Sequence, residues 1–366
     1  MGVWGSAQRT EKDISGCGIV GIMNERGDAF SGESIAVSIC TMMERGNGLG
    51  AGFAGYGIYP DFKDYWCFHV MYQEEKAREA VEEYLAKRFV LKHQGPIPTN
   101  TVRALRSVPL LWRYFFDVRN EVKDAAGEED YIVECLMEIN RNIAGAFVFS
   151  SGKNMGIFKG AGNPDEIADF YRISDYSGYL WTAHNRFPTN TPGWWGGAHP
   201  FGILNWSVVH NGEISSYGVN RRYLEGFGYY CSLSTDTEVM AYLFDLLVRR
   251  HGFSFDVVGK IVASSFWSQI ERIEDADERA FLRALRLVYG SALVNGPFAV
   301  IVANANYMVG LNDRIKLRPL VAARRGDYLY ISSEEAAIRM VSNDLDCVWM
   351  PTAGEPTIGR LQDGEA

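Results

Sequence analysis

A cysteine flanked by glycines is the first candidate for chemistry in this sequence. Cys17 stands between Gly16 and Gly18, at the start of the short apolar run 17–23. Because glycine has no side chain, a thiol in this setting is open to a substrate, and a cysteine thiolate is a strong nucleophile. A buried structural cysteine is the alternative, and it is the commoner fate of a free thiol. Taken alone, the pattern leaves both interpretations open.

An arginine follows a predicted strand in the middle of the chain. The segment His184-Asn-Arg-Phe-Pro-Thr189 comes directly after the strand-like run 179–183. A guanidinium at a strand end can hold a carboxylate through two parallel hydrogen bonds. The alternative for Arg186 is an ordinary surface ion pair.

An asparagine-glycine pair follows the next predicted strand, 206–209. It lies in the segment His210-Asn-Gly-Glu213. Asn-Gly is a common turn dipeptide, which is the simpler interpretation. The functional interpretation is an oxyanion hole, in which the Asn211 amide and the backbone N–H of Gly212 stabilise a developing negative charge.

An aspartate opens a well-marked helix after Ser234. Thr235 and Glu238 fit a capping box, and apolar residues at helical spacing follow. A carboxylate in a first helical turn is stabilised by the helix dipole, so Asp236 can be purely structural. It could instead bind a substrate ammonium group.

The elements around these residues mix strands and helices without regular βαβ alternation. Further strands are predicted at 146–149, 155–158, 297–303, 307–311 and 328–332, and helices at 33–43, 74–89, 130–143, 275–289 and 334–341. This order favours antiparallel sheets covered by helices. Between 59 and 130 a strand-like run is followed by a charged, strongly helical stretch. This change predicts an inserted αβ lobe, with 94–100 as a linker.

Composition excludes several classes of protein. The chain has 366 residues, a net charge of −9 and 47% hydrophobic residues, which is ordinary for a globular protein. The acidic balance disfavours nucleic acid and anionic membranes as partners. The six cysteines form no CxxC pattern, which argues against a metal site on this chain. With no signal peptide in the first sixteen residues, we expect a reduced, cytoplasmic protein.

The motifs in this order resemble the class II glutamine amidotransferases. The matching pieces are C-G-I-V-G (17–21), R-G (45–46), H-x-R-F-x-T (184–189), A-H-P (198–200), H-N-G-E-I (210–214) and S-T-D-T-E (234–238). The resemblance implies an α+β fold, the four-layer αββα sandwich of N-terminal-nucleophile hydrolases, built on two antiparallel sheets. It implies a leader over 1–16, an amidotransferase domain over 17–345 with the insertion at about 59–130, and a tail over 346–366.

The resemblance also implies a role for each matched residue. Removal of the leader would free the α-amine of Cys17 to act as general base. The Cys17 thiolate would then attack the side-chain amide of L-glutamine and form a γ-glutamyl thioester. Asn211 and Gly212 would form the oxyanion hole, Arg186 would hold the α-carboxylate, and Asp236 would hold the α-ammonium group. The remaining substrate-binding positions are Arg45, Phe187, Thr189 and His199.

The acceptor of the ammonia is a further expectation. The chain is similar to the stand-alone amidotransferase subunit of archaeal-type glutamate synthase in its H-N-G-E-I form (210–214), its Gly-Trp-Trp-Gly-Gly loop (193–197) and its overall length. The resemblance to the amidotransferase domain extends to about residue 345, and we expect no room after it for an acceptor domain. FMN, iron–sulfur clusters and NAD(P)H are then expected on separate synthase subunits, with no cofactor on this chain. An amidotransferase subunit for another acceptor, such as methylamine in N-methylglutamate synthase, and a catalytically silent regulatory subunit are the alternatives.

Overall fold

The computed structural model describes residues 16–120, 127–186 and 194–362, and two antiparallel sheets form its framework. Strands are numbered along the chain. The first sheet contains β1 (Gly18–Asn24), β3 (Ala51–Tyr56), β8 (Met155–Gly160), β10 (Leu180–Asn185), β15 (Val321–Arg325), β16 (Tyr328–Ser332) and β17 (Cys347–Trp349), in the order β17-β15-β16-β1-β10-β3-β8. The second contains β11 (Phe201–Ile203), β12 (Trp206–Gly212), β13 (Phe298–Ala303), β14 (Tyr307–Asn312) and β18 (Thr357–Arg360), in that order.

The two sheets pack face to face through their central strands. β1 and β10 contact β12, and β1 also contacts β13. Every residue of β1 is buried, which confirms the predicted strand with two covered faces. A Cβ atom on Gly21 would lie 2.6 Å from the Met308 sulfur. The absence of a side chain at Gly21 therefore lets the sheets approach closely.

Helices cover the outer face of each sheet. The first sheet is covered by Glu33–Cys40, Pro164–Phe170 and Glu335–Arg339, and the second by Asp236–Phe244, which packs on β11 and β12. Further helices outside the inserted lobe, within the described residues, are Tyr217–Glu225, Phe255–Val262, Trp267–Ile270 and Ala276–Val288, with a π-helical turn at Asp245–Arg250. This order of layers, α-β-β-α, confirms the predicted fold class.

A third sheet belongs to the inserted lobe. Its strands are β4 (Trp66–Tyr72), β5 (Phe89–Pro96), β6 (Leu110–Val118) and β7 (Ala146–Ser150), in the order β5-β6-β4-β7. Helices Glu75–Arg88 and Glu128–Asn142 pack on it. The predicted linker at 94–100 is wrong in its first part, because β5 continues to Pro96 and pairs with β6. The fourth strand, β7, comes from residues beyond 130.

The smallest sheet pairs β2 (Phe30–Ser31) with β9 (Ser177–Gly178). Within the described ranges, no helix has the length and apolar character needed to cross a membrane. In the same part of the chain, no group of three or more His, Cys, Asp or Glu side chains could hold a metal ion.

Candidate active site

Strand pairing brings Cys17 and Arg186 together. β1 pairs with β10 so that Gly18 is opposite Asn185, and one further step of this register sets Cys17 opposite Arg186. Cys17 is half-buried. Arg186 is only 4% exposed. Burial lowers the pKa of Arg186, while the charges of Cys17 and Asp236 oppose that decrease. The predicted nucleophile and the two predicted glutamine-binding residues therefore lie in one place.

Arg45 holds the backbone at Cys17. It ends the short 3-10 helix Met43–Arg45, and its Nε donates a hydrogen bond to the Cys17 carbonyl oxygen at 3.2 Å. The Arg45 carbonyl accepts the Gly16 N–H at 3.2 Å. Its guanidinium also forms an ion pair with Glu334. Arg45 thus fixes the main chain on both sides of the nucleophile.

Arg186 fits its position because two glycines make room for it. Its N–H donates to the Gly50 carbonyl at 2.9 Å. A Cβ atom on Gly50 would lie 3.2 Å from the Arg186 Cδ, and one on Gly197 would lie 3.4 Å from its Nη1. A larger residue at Gly50 would therefore push against the arginine.

Asp236 is held at the start of the helix Asp236–Phe244. Its Oδ2 accepts the Ile214 N–H at 3.1 Å, and its Oδ1 accepts the Thr237 hydroxyl at 3.3 Å. His210 Nδ1 lies 3.7 Å from Oδ1. Burial alone would raise the pKa of Asp236, but His210 and these hydrogen bonds hold it below its usual value. Asp236 is therefore a carboxylate at neutral pH, as binding an ammonium group requires.

The two predicted oxyanion donors end β12. Asn211 is fully buried, and its Nδ2 donates to Ser333 Oγ at 3.2 Å. The same Ser333 oxygen accepts the Ile19 N–H at 3.3 Å, which ties Asn211 to the strand that follows Cys17. At Gly212, a Cβ atom would lie 2.0 Å from the Pro297 carbonyl oxygen. Position 212 therefore accepts only glycine.

Three buried histidines and a threonine lie behind Asp236. His184 and His199 stack with their ring centroids 3.9 Å apart, and His184 Nε2 donates to the His210 carbonyl at 2.9 Å. Thr237 Oγ1 lies 3.2 Å from His210 Nδ1 and 3.3 Å from His199 Nε2. Burial lowers the pKa of His184 to about 3 and that of His199 well below its usual value. These two rings are neutral at physiological pH and support the site rather than carry charge.

Sequence reasoning did not identify every residue of this site. Ser333 and Glu334 lie in the segment S-S-E-E (332–335), where the predicted strand 328–332 meets the predicted helix 334–341 and no local pattern indicates a functional residue. Thr237 was noted only inside its motif. His199, a predicted substrate-binding position, contacts Thr237 through its Nε2. Phe187 and Thr189 lie outside the described residues.

Residues 69–227 match the family "Glutamine amidotransferases class-II". The matched range includes Arg186, His199, Asn211 and Gly212, begins after Cys17 and Arg45, and ends before Asp236.

Three relatives illustrate the similarity. An uncharacterized protein of Archaeoglobus fulgidus is 51% identical over 97% of this chain and 95% of its own length. A putative glutamine amidotransferase of Methanothermobacter thermautotrophicus is 28% identical over 56% of this chain and 59% of its own length. A glutamine–fructose-6-phosphate aminotransferase of Aeropyrum pernix is 28% identical over 53% of this chain and 31% of its own length. The chain thus spans less than two thirds of the two relatives that carry a functional name.

Proposed function

We propose that the chain hydrolyses the side-chain amide of L-glutamine to glutamate and ammonia. The match of residues 69–227 to the family "Glutamine amidotransferases class-II" supports this proposal. The observation that carries this proposal is the position of Arg186, buried beside both Cys17 and Asp236. A cation between a nucleophile and a carboxylate matches a substrate with an α-carboxylate, an α-ammonium group and a reactive side chain.

The proposed nucleophile requires a base. The neutral, buried rings of His184 and His199 are poor acceptors for a catalytic proton, because burial disfavours their charged forms. Cleavage of the peptide bond between Gly16 and Cys17 would free an α-amine whose ordinary pKa, about 7.7–8.0, suits a general base near neutral pH. We therefore propose that the mature enzyme begins at Cys17.

The proposed reaction has two stages. The α-amine takes the thiol proton, and the Cys17 sulfur bonds to the amide carbon of glutamine, forming a tetrahedral intermediate. Asn211 and Gly212 stabilise its oxyanion; loss of one such donor typically raises a barrier by about 2.7–4 kcal/mol. The C–N bond then breaks, and ammonia leaves with the proton from the α-ammonium group. Water attacks the thioester, the C–S bond breaks, and glutamate and the free thiol are regenerated.

Both charged groups on the α-carbon of the substrate would be bound. Arg186 would bind the α-carboxylate and Asp236 the α-ammonium group, with His199 packing behind Asp236 through Thr237. Arg45 would hold the Cys17 main chain, as its hydrogen bond to the Cys17 carbonyl supports. Phe187 and Thr189 keep their predicted places in the pocket wall as part of this proposal.

An activity assay with matched cysteine variants tests the proposal. Cys17→Ala should abolish ammonia release from glutamine, whereas Cys40→Ala, at another half-buried cysteine, should keep wild-type activity. Intact-mass measurement on active enzyme should show a chain starting at Cys17. Wild-type activity in Cys17→Ala, or active enzyme that retains Met1, would contradict the mechanism.

We further propose that the ammonia passes to a separate glutamate-synthase-type subunit that carries FMN, iron–sulfur clusters and NAD(P)H. The H-N-G-E-I form at 210–214 and the Gly-Trp-Trp-Gly-Gly segment at 193–197 support this proposal by their resemblance to stand-alone amidotransferase subunits. A cytoplasmic location accompanies it and is supported by six cysteines present as free thiols.

Isotope transfer identifies the acceptor. The purified native complex should be supplied with glutamine labelled with ¹⁵N at the side-chain amide, together with 2-oxoglutarate and reductant. Label in the α-amino group of newly formed glutamate supports a glutamate-synthase-type partner. N-methylglutamate formed on addition of methylamine, without transfer of label to 2-oxoglutarate, would favour the alternative acceptor.

A further inference from the structure

A buried lysine lies behind the glutamine pocket and has no part in the mechanism above. Lys159, in β8, is 1% exposed, although an ammonium group is costly to bury without partners. Its Nζ donates to the Gly196 carbonyl at 3.0 Å and lies 4.2 Å from the centre of the Phe201 ring. The charge of this lysine is therefore directed at the turn Trp195–Gly197 rather than at solvent.

Glu238 is a buried carboxylate that faces the same space as Lys159. Both side chains line the same internal void of about 10 Å³, together with Phe201, Leu233 and Tyr242. Burial lowers the pKa of Lys159 to about 7, and the charge of Glu238 opposes that decrease. Glu238 also accepts the N–H groups of Ser232 and Leu233, at 3.0 and 2.9 Å. Glu238 thereby fixes the loop that leads into the helix Asp236–Phe244.

Each partner of Lys159 leads to one end of the proposed substrate. Gly196 adjoins Gly197, against which the Arg186 guanidinium packs. Glu238 lies in the same first helical turn as Asp236. Lys159 therefore connects the turn beside Arg186, the proposed carboxylate-binding residue, to the first turn of the helix that bears Asp236, the proposed ammonium-binding residue.

A glycine permits this close arrangement. Lys159 pairs with Gly52 of β3. A Cβ atom on Gly52 would lie 2.8 Å from the Lys159 Cβ and 2.3 Å from the His199 carbonyl oxygen. The Lys159 side chain and the His199 carbonyl thus both lie against the space that a side chain at position 52 would fill, so Gly52 allows the strand of Lys159 and the His199 segment to approach closely.

We propose that Lys159 is a positioning residue for substrate recognition, which sets the separation of Arg186 and Asp236 by holding Gly196 and facing Glu238. The inference rests on the proposed glutaminase function. Because Lys159 acts through other residues, its loss weakens the binding of the α-carboxylate and α-ammonium groups of glutamine. The reaction at the Cys17 thiol is unaffected.

Steady-state kinetics on the processed enzyme test this role. Lys159→Met removes the charge and the donor at similar length, and it should raise KM for L-glutamine at least tenfold while kcat changes less than about threefold, the pattern of lost binding rather than lost chemistry. The ratio of kcat/KM for L-glutamine to kcat/KM for 4-carbamoylbutyrate, which lacks the α-ammonium group, should also fall at least fivefold. Lys153→Met is the matched control, because Lys153 pairs with Glu128 and should leave both quantities unchanged.

A stability measurement and a second variant separate a loss of function from a loss of folding. Removal of Lys159 alone leaves the buried Glu238 without the opposing charge, so the melting temperature of Lys159→Met should fall, and the kinetics are measured at a temperature where circular dichroism shows the variant folded. If that variant does not fold, Glu238→Gln takes its place with the same expected changes in KM and preference. Unchanged KM and preference in a folded variant would overturn the inference alone, whereas wild-type enzyme without glutaminase activity would overturn the proposed function as well.

Discussion

Asn211 and Ser333 are joined by a hydrogen bond of 3.2 Å, and the Ser333 hydroxyl oxygen also accepts the Ile19 N–H. One serine therefore sets the position of a proposed oxyanion donor relative to the strand that carries the nucleophile. The amide has a second N–H that this bond does not use. The orientation of that second donor depends on Ser333.

Removal of the Ser333 hydroxyl should slow the chemical step. Ser333→Ala is expected to lower kcat by about three- to tenfold with little change in KM, because an oriented donor acts mainly on the transition state. Ser332→Ala is the control, since the Ser332 hydroxyl donates to the Ile19 carbonyl and not to Asn211. Equal kcat values in the two serine variants would contradict a role through Asn211.

Neutralising Asp236 should weaken glutamine binding. Hydrogen bonds to charged groups contribute about 1.5–3 kcal/mol, so Asp236→Asn is expected to raise KM by about ten- to a hundredfold. Asp165→Asn alters a carboxylate in the first turn of another helix, Pro164–Phe170, and should leave KM unchanged. A wild-type KM in Asp236→Asn would remove Asp236 from the substrate site.

The ion pair of Arg45 with Glu334 should act on catalysis rather than on stability. Arg45→Ala and Glu334→Ala are each expected to lower kcat/KM by about five- to twentyfold, because both free the main chain at Cys17. The double variant should be no worse than Arg45→Ala, since contacting residues in one network are not additive. Partly exposed ion pairs contribute only about 0–1 kcal/mol to stability, so melting temperatures should change little.

A control for this pair is available at the sheet edge. Arg26 and Asp327 form an exposed ion pair with Nε and Oδ2 3.0 Å apart. Arg26→Ala should alter neither kcat/KM nor stability. Additive losses in the Arg45 and Glu334 variants would show that the two residues act independently.

Buried histidines should make the fold sensitive to acid. Burial lowers the pKa of His69 to about 3, from about 6.5 when unfolded. Between these values the unfolded chain binds the additional proton, so the free energy of unfolding should fall by up to about 1.4 kcal/mol per pH unit for this group as pH decreases. The stabilisation is complete above about pH 6.5.

Urea denaturation at several pH values between 4 and 7 measures this effect. As pH decreases, the free energy of unfolding of His69→Gln should fall less steeply than that of wild type, by up to about 1.4 kcal/mol per pH unit. The comparison with wild type is needed because Glu238, whose pKa burial raises to about 7, contributes with the opposite sign between about 4.5 and 7. An identical slope in the variant would show that His69 is not responsible.

The strands and helix that carry the motifs were predictable because their signals are local. β1 is an unbroken apolar run, and Thr235 caps its helix by accepting the Glu238 N–H at 3.2 Å. β5 was not predicted, because Val90 to Gln94 are exposed at a sheet edge and show no alternation of buried and exposed residues. Lys159 gave no signal, since one lysine in a strand predicts exposure unless its partners are known.

The inserted lobe begins and ends at neighbouring strands of the first sheet. Tyr56, which ends β3, pairs directly with Met155, which begins β8. In topological terms the whole of 57–154 is the loop of a single β-hairpin. The loop nevertheless folds back on both main sheets, because β4 contacts β8 of the first sheet and β7 contacts β11 of the second. Since β8 and β11 are the edge strands of those sheets, the lobe joins by packing the two edges that its chain connection leaves apart.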